Sequence, residues 1–540
     1  MSTTVAPNKG APLGEAAVAA MSAAMLALLL VRYGPPGTDM AAHVYQRTVF
    51  LQHGFALWNN LWYSGRYSFV TYSVAYYPLA GLVGIRILAV ATVAIATIAF
   101  SALVWRQWGD DARWAVRTFA LAWAAVVLSG AFPFMLGVAF ALLALCALQA
   151  HARWPFAALV ALTAAASPVA FLLLGVVVAG CGLARARWRG LASPAAVVGL
   201  AASVELVLWR MFPSGGRYPF SAEEFLAATA FCALGWLMTW RVERLRILRL
   251  VFPVYFAACL SALVVPSGLG ENICRLRYLA IPVAVLALSL RRWKPVWLAA
   301  PALALAVAWN TTPLIASYVD ARRDPSASAA YWQPAIGFLH AHLAPSYRVE
   351  AVDTAGHWDA VYLPEAGIPL VRGWFRQDDF PQNTLLYRRP TARQYRRWLR
   401  GLGVRYVVLT GAPPDYSARS EAALLAGGDS GLRVAYRGST TTVFAVPNPR
   451  AIATGPGHPR IVAMTETHVR VRLTRPGRFR LAVRYSPYWK AAGACVEQRP
   501  DGMTELISQR AGIVSLGFDV TIRRAIAALG GASAQTCTTT

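Results

Sequence analysis

Residues 14–33, GEAAVAAMSAAMLALLLVRY, form an apolar run about as long as the ~20 residues a helix needs to cross a ~30 Å hydrocarbon core. Comparable runs recur near 80–105, 115–130, 133–150, 155–166, 168–184, 191–210, 222–240, 247–266, 277–290 and 295–313, which makes eleven expected spans. The pieces at 155–166 and 168–184 are too short for two full crossings at ~1.5 Å per residue, so Ser167 and Pro168 predict a short hairpin or re-entrant pair. The 540 residues are 57% hydrophobic and 14% charged, which excludes an ordinary soluble chain.

The net charge of +26 divides into +14 before residue 320 and +12 after it. No single soluble patch carries it, so nucleic acid is not an expected partner. Fifteen of the 23 Lys and Arg before residue 320 fall on one side of the alternating spans: Lys9, Arg106, Arg113, Arg117, Arg153, Arg185, Arg187, Arg189, Arg241, Arg244, Arg246, Arg249, Arg291, Arg292 and Lys294. The positive-inside tendency then puts the N-terminus in the cytoplasm and, with an odd span number, residues 320–540 outside. A multi-pass protein of the plasma (inner) membrane is expected, with an uncleaved first span.

The outer region reads as two modules. Alternating helical and strand patterns at 332–343, 347–352, 392–402, 404–409, 418–425 and 443–446 predict an α/β domain over 320–450. Short alternating runs at 469–473, 478–485, 504–508 and 513–520, parted by glycine turns, predict a β-sandwich-like domain over 451–540. The expected fold is therefore an α-helical polytopic bundle over 1–319, with a first outer loop at 34–79, followed by these two extracytoplasmic modules. Cys495 and Cys537 are the only cysteines of the outer region and make a candidate disulfide. No Cys/His spacing suggests a metal, and no glycine-rich nucleotide fingerprint stands out.

The first outer loop holds the densest chemistry. GPPGTDMAAH (34–43) carries Asp39 and His43 four residues apart, on one face of a helix beginning at Thr38 or Asp39. WNNLWYSGRY (58–67) brings Trp58, Trp62, Tyr63 and Arg66, and YYP follows at 76–78 with Tyr76. As isolated residues, Asp39 reads as a helix N-cap and the aromatics as an interfacial belt. A second polar island, GLGENICRLR (268–277), places Glu271, Arg275 and Arg277 on the same expected side. In the outer region His357, Trp358, Asp359, Arg372, Trp374, Arg376, Asp378, Asp379 and Asn383 form a polar and aromatic set suited either to sugar contact or to structural loops. Glu205, inside a span, is expected to be paired or functional.

The arrangement G-x-D-x-x-x-H at Gly37–His43, W-N-x-x-W-Y-x-G at Trp58–Gly65 and Y-Y-P at Tyr76–Pro78 resembles the first periplasmic loop of bacterial GT-C membrane glycosyltransferases and their actinobacterial-type polytopic relatives. That resemblance implies an inverting transfer from a polyprenyl-phosphate sugar to a cell-envelope glycan or glycolipid at the outer leaflet, with an acid on this loop as catalytic base. It assigns Asp39 as base, His43 as its orienting partner, and Arg66, Arg275 and Arg277 as donor-phosphate ligands. Trp58, Trp62, Tyr63, Tyr76, Glu271, His357 and Trp358 become the sugar and acceptor contacts. Met40 stands where some members carry a second acid, so no metal or other cofactor is expected. A flippase for lipid-linked sugars or a non-catalytic envelope-assembly scaffold are the alternative readings; no internal repeat favours the carrier.

Overall fold

A computed structural model describes residues 13–70, 72–185, 192–214 and 216–530. Lys9, Arg187, Arg189 and Cys537 lie outside the described residues, and with Cys537 so does the Cys495–Cys537 pairing. The chain is a multi-pass membrane protein with a β-rich C-terminal region. Its helices up to residue 323 are α1 (Leu13–Tyr33), α2 (Met40–His53), α3 (Tyr76–Val83), α4 (Ile85–Trp108), α5 (Arg113–Ala125), α6 (Phe132–Gln149), α7 (Arg153–Ala166), α8 (Pro168–Arg185), α9 (Ala192–Met211), α10 (Ala222–Thr239), α11 (Arg246–Val264), α12 (Ala280–Leu290) and α13 (Val296–Arg323).

Among the described residues, seven helical stretches are long and apolar enough to cross a membrane, against the eleven apolar runs of the sequence. The difference has local causes. The runs at 80–105 and 115–130 join into one helical stretch, Ile85–Ser129, across the tight turn Gly109–Ala112. The 14 residues of α7 reach only about 21 Å at 1.5 Å per residue. Ser167 is extended, and Pro168 then starts α8. In α10 the first turn carries Glu223 and Glu224, which interrupt its apolar length.

The chain divides into two compact units. The first comprises Met1–Met40, Tyr72–Leu206 and Arg217–Ala321; the second comprises Ala41–Thr71, Val207–Gly216 and Arg322–Thr540. In the first, α1 lies on α4 and α5, α4 on α6, and α8 on α11. Small residues permit the close approaches that membrane bundles rely on: a methyl group added at Gly180 of α8 would stand 3.0 Å from the Val251 backbone of α11. Phe119 stacks on Phe100, with ring centres 4.1 Å apart, and ties α5 to α4.

The second unit holds two β systems. In the first, β3 (Arg348–Ala351) pairs parallel with β4 (Val404–Thr410), and β5 (Arg433–Arg437) and β6 (Thr441–Ala445) complete an antiparallel edge in the order β3-β4-β6-β5. The helices α14 (Ala329–His342), α15 (Asp359–Glu365), α16 (Ala392–Gly401) and α17 (Arg419–Ala426) alternate with it, giving the α/β module. A full capping box, Thr391 with Gln394, starts α16.

The second system is a sandwich of β7 (Ala453–Thr454), β8 (Arg460–Met464), β9 (His468–Leu473), β10 (Gly477–Arg484), β11 (Trp489–Ala491), β12 (Cys495–Gln498), β13 (Met503–Ser508) and β14 (Gly512–Phe518). Its sheets run β12-β13-β10-β7 and β11-β14-β9-β8. Along β9, Val469, Val471 and Leu473 point inward and their neighbours outward, the alternation that a one-sided sheet requires. A helix, α18 (Ile522–Leu529), ends the described chain.

The segment 41–71, grouped by its sequence position with the membrane bundle, packs in the second unit. Its hairpin, β1 (Trp58–Asn59) against β2 (Arg66–Tyr67), inserts Trp58 and Tyr67 into the sandwich core beside Trp489 and Phe518. Trp58→Ala should cost about 3–5 kcal/mol, the usual cost of emptying a buried aromatic site. Chemical denaturation of the full chain in detergent, followed by near-UV circular dichroism, would read this, and an unchanged midpoint would place Trp58 outside the core.

Candidate active site on the first loop

Asp39 stands immediately before α2, whose first residue is Met40, so it sits outside the helix expected to begin at or before it. Three contacts seat it. Gly37 lies so tightly on the turn between Leu128 and Gly130 that an added Cβ would meet the Gly130 nitrogen at 2.4 Å. Gly130 itself has φ +73 and faces the Asp39 and Met40 backbone, where a side chain would be both strained and blocked. The Asp39 amide donates to the Ser129 carbonyl at 3.0 Å. From the other side, the hydroxyls of Thr38 and Ser317 lie 2.7 Å apart, and Ser317 donates to the Leu128 carbonyl at 2.8 Å, so α13 clamps the same loop.

Against this seat comes the second polar island. Arg275, on the 3-10 stretch Gly270–Leu279, meets the Asp39 carboxylate with Nη2 to Oδ2 at 3.1 Å. Its Nε donates to Asn272 Oδ1 at 3.2 Å, and its guanidinium lies 5.6 Å from the Phe134 ring centre on α6. Tyr72 joins them: burial pushes its phenol up, Arg275 opposes that shift and Asp39 adds to it, so both charges act on its hydroxyl. The result is a carboxylate and a guanidinium meeting from parts of the sequence 236 positions apart, with a buried phenol that feels both charges.

Arg277 belongs to a neighbouring pair. Its Nη1 lies 2.7 Å from Glu224 Oε1, and the other Glu224 oxygen accepts from the Trp309 indole at 3.2 Å. Asn310 on α13 donates to the Arg277 carbonyl at 2.9 Å. Glu271 lies on the same stretch, its amide bonded to the Pro219 carbonyl at 3.2 Å. Beside this region a cavity of ≈ 480 Å³ opens between α5, α12 and α13, lined by Leu121, Leu128, Ile281, Leu314, Ile315 and Tyr318 among others.

The remaining candidates lie elsewhere. His43 is fully buried on α2 and falls with the second unit. Trp62 donates its indole N–H to the Ala360 carbonyl at 2.8 Å, and Tyr63 donates its hydroxyl to the Gly373 carbonyl at 2.7 Å. Arg66, expected at the donor phosphate, is instead buried in the second unit with Nε 2.6 Å from Asp378 Oδ2 and its guanidinium 4.1 Å from the Phe375 ring centre. Tyr76 is buried at the start of α3 against Tyr77. In the β module Cys495 carries no disulfide within the described residues.

His357 and Trp358, expected to face a sugar, are also buried. His357 joins an ion network at the carboxyl ends of β3 and β4. There Arg372 holds Asp353 at 2.9 Å and Asp379 at 2.7 Å, while Arg376 holds Asp415 and His357, and both arginines donate to the Ser417 hydroxyl. Beneath it Glu421 accepts from Tyr395 Oη at 2.5 Å. Burial drives Asp353 up to about 7, Asp359 to about 6 and Glu421 to about 7. For Asp379 and Asp415 burial, the largest single effect, pushes the same way, but Arg372 with the Asn383 and Tyr387 hydrogen bonds, and Arg376 with His357 and Ser417, together outweigh it and hold the two below the usual range.

These shifts make a pH prediction of unusual sign. Between about pH 4 and 7 the folded unit keeps protons on Asp353, Asp359 and Glu421 that the unfolded chain releases, so stability falls as pH rises, and Glu350, which burial pushes well above the carboxylate range, acts in the same direction. Below about pH 4 the depressed Asp379 and Asp415 reverse the slope. Thermal unfolding of the second unit should therefore have a higher midpoint at pH 5 than at pH 8; an equal or lower midpoint at pH 5 would refute the assignment.

Among the described residues no group of three or more His, Cys, Asp or Glu is placed to hold a metal ion. No family model matches the chain, and no curated protein matches it. Solved structures of the arabinofuranosyltransferase AftD from Mycobacteria are similar to it. One is 18% identical, covers 90% of this chain and 42% of its own, and gives a TM-score of 0.46. Two classes of a mutant of the same enzyme give 18% identity over 82% of this chain and 42% of theirs with TM-score 0.46, and 13% over 94% and 60% with 0.47. The chain thus spans between two-fifths and three-fifths of the length of the proteins it is similar to.

Proposed function

We propose that this protein is an integral-membrane glycosyltransferase of inverting GT-C type, acting at the outer leaflet of the plasma membrane. It takes a sugar from a polyprenyl-phosphate donor and passes it to a cell-envelope glycan or glycolipid. The observation that carries this reading is the Asp39–Arg275 pair, a carboxylate and a guanidinium held at 3.1 Å beside the close backbone contact of Gly37 with Gly130.

Glycosyl transfer with inversion needs a base to take the acceptor hydroxyl proton as that oxygen attacks the anomeric carbon, and a cation to hold the departing phosphate. Asp39 is the base. Arg275 is the phosphate ligand, its planar fork matching phosphate oxygens, and Tyr72 donates to whichever oxygen the pair leaves exposed. The apolar cavity between α5, α12 and α13 suits an isoprenoid chain, since Leu128 both lines it and bonds through its carbonyl to Ser317, the residue that clamps Thr38. Arg277, engaged with Glu224, keeps the island in shape. The proposal assigns no metal, and it leaves Trp58, Trp62, Tyr63, Arg66, His357 and Trp358 as packing and ion-pair groups of the second unit.

The test is turnover by the purified full chain in nanodiscs, offered radiolabelled polyprenyl-phosphate sugars with a crude envelope acceptor. Asp39→Asn should lower incorporation by about 10²–10⁴, the range that general-base catalysis supplies, with the folded protein retained in the disc. Arg275→Ala should weaken donor binding more than it lowers the unfolding midpoint. Donor binding without incorporation by the wild type would replace the enzyme with a carrier or scaffold.

A further inference from the structure

The last helix of the described chain is inside out by the standard of a soluble domain. In α18, IRRAIAAL, the small side chain of Ala525 turns into the sandwich core, while Ile522, Ile526 and Leu529 are 82%, 64% and 44% exposed. Their i, i+4, i+7 spacing sets them in one row along the helix. The helix is nevertheless firmly placed. Thr521 caps it through the Arg524 amide, and the Arg524 guanidinium donates to the Tyr488 carbonyl at 3.1 Å and the Asp519 carbonyl at 3.3 Å.

Tyr488 also ties α18 to the end of another helix. Its hydroxyl donates to the Met211 carbonyl at 2.9 Å, and its ring stacks on Phe212 with centres 5.2 Å apart. Met211 is the last residue of α9, a helix long and apolar enough to cross a membrane, which has no buried residue along its length. The end of α9 from Val207 onward belongs to the same compact unit as Tyr488 and α18. Trp209 and Arg210 in its last turn are the residue types that anchor a helix at the headgroup level. One tyrosine therefore links α18 to the end of a helix long and apolar enough to cross a membrane.

We propose that α18 is an interfacial helix that lays Ile522, Ile526 and Leu529 into the headgroup region of the bilayer its own chain crosses. The lipid surface is the occupant favoured by position, because any bilayer around α9 ends beside Tyr488. Arg523, exposed next to the row, supplies the cation that suits anionic headgroups. Such a contact would fix the second unit to the membrane surface at a point far along the sequence from the loop 34–79.

The test uses the full chain in phosphatidylcholine–phosphatidylglycerol nanodiscs, with a nitroxide on Ile526→Cys in a Cys495→Ser, Cys537→Ser background. Protein lacking the new cysteine supplies the baseline, and a label on Arg470→Cys, on an outward position of β9, is the water-exposed control. The 526 label should collide several-fold more often with lipid-dissolved oxygen than with a water-soluble nickel chelate, and the control should do the reverse. Chelate access at 526 equal to the control would put the row in water. A label immobilised and reached by neither reagent would mean that protein covers the row; either result overturns the proposal. Because the row faces outward, the label leaves the fold intact, and an unchanged unfolding midpoint confirms that each reading comes from folded protein.

Discussion

Everything proposed for the membrane unit depends on the pairing of Asp39 with Arg275. A carboxylate moved out of water costs several kcal/mol unless a cation and hydrogen bonds replace its hydration, and breaking such a pair from one side strands the other charge. Asp39 is 9% exposed, so its partner is a structural necessity before it is a chemical convenience. The surrounding geometry serves that necessity. Gly37 against Gly130 lets two backbones close to a separation that side chains would forbid, and the Thr38–Ser317–Leu128 hydroxyl chain ties the loop to α13. The same constraint makes the site suitable for chemistry, because an acid and an arginine fixed by rigid neighbours lose little freedom when a ligand arrives.

The second unit meets the burial of charge differently, by numbers. Around Arg372 and Arg376 it assembles Asp353, Asp379, Asp415, Glu350 and Glu421, more acids than cations, all within the interior. Each arginine serves several acceptors, and the surplus carboxyls are accommodated by taking up protons, as the upward shifts of Asp353 and Glu421 record. Glu350, whose pKa is pushed well above the carboxylate range by burial with Glu421 adding to it, completes this pattern. A network at the carboxyl ends of parallel strands occupies the position where α/β folds commonly open a ligand crevice. Here the charged groups themselves are buried, His357 among them, while a cavity of ≈ 560 Å³ lined by Val352, Thr410, Pro413 and Arg419 opens beside the same strand ends.

The aromatic residues of the first loop follow the same logic of filling space. Read along the sequence, Trp58, Trp62 and Tyr63 resemble a membrane belt. In the fold they are core: Trp58 stacks on Phe518 at 5.0 Å, Trp62 lies 4.5 Å from Tyr45, and each polar tip finds a partner. A short hairpin inside an otherwise membrane-proximal loop thus supplies part of the sandwich interior.

Hydrophobic patterning alone was enough to identify the membrane bundle, the α/β alternation over residues 332–446 and the strands at 469–473, 478–485, 504–508 and 513–520. All of these depend on periodicities within a single element, which neighbouring residues encode. Asp39 stood out only through the resemblance of its loop, and the island at 268–277 as a polar break between two apolar runs. What patterning could not reach was partnership. Arg275 and Asp39 are 236 positions apart and Arg66 and Asp378 are 312 apart, and nothing in local spacing distinguishes the arginine that meets Asp39 from the one that meets Glu224 or Asp378. Helix count was likewise a tertiary matter, because apolar runs report composition whereas spans require continuous helical length. The short strands β11 and β12 have too few residues to show a period, and only pairing within the sandwich makes them stable. Local sequence sets which faces are apolar; long-range closure decides which charge lies against which, because burial leaves each charge no alternative but the partner the fold brings to it.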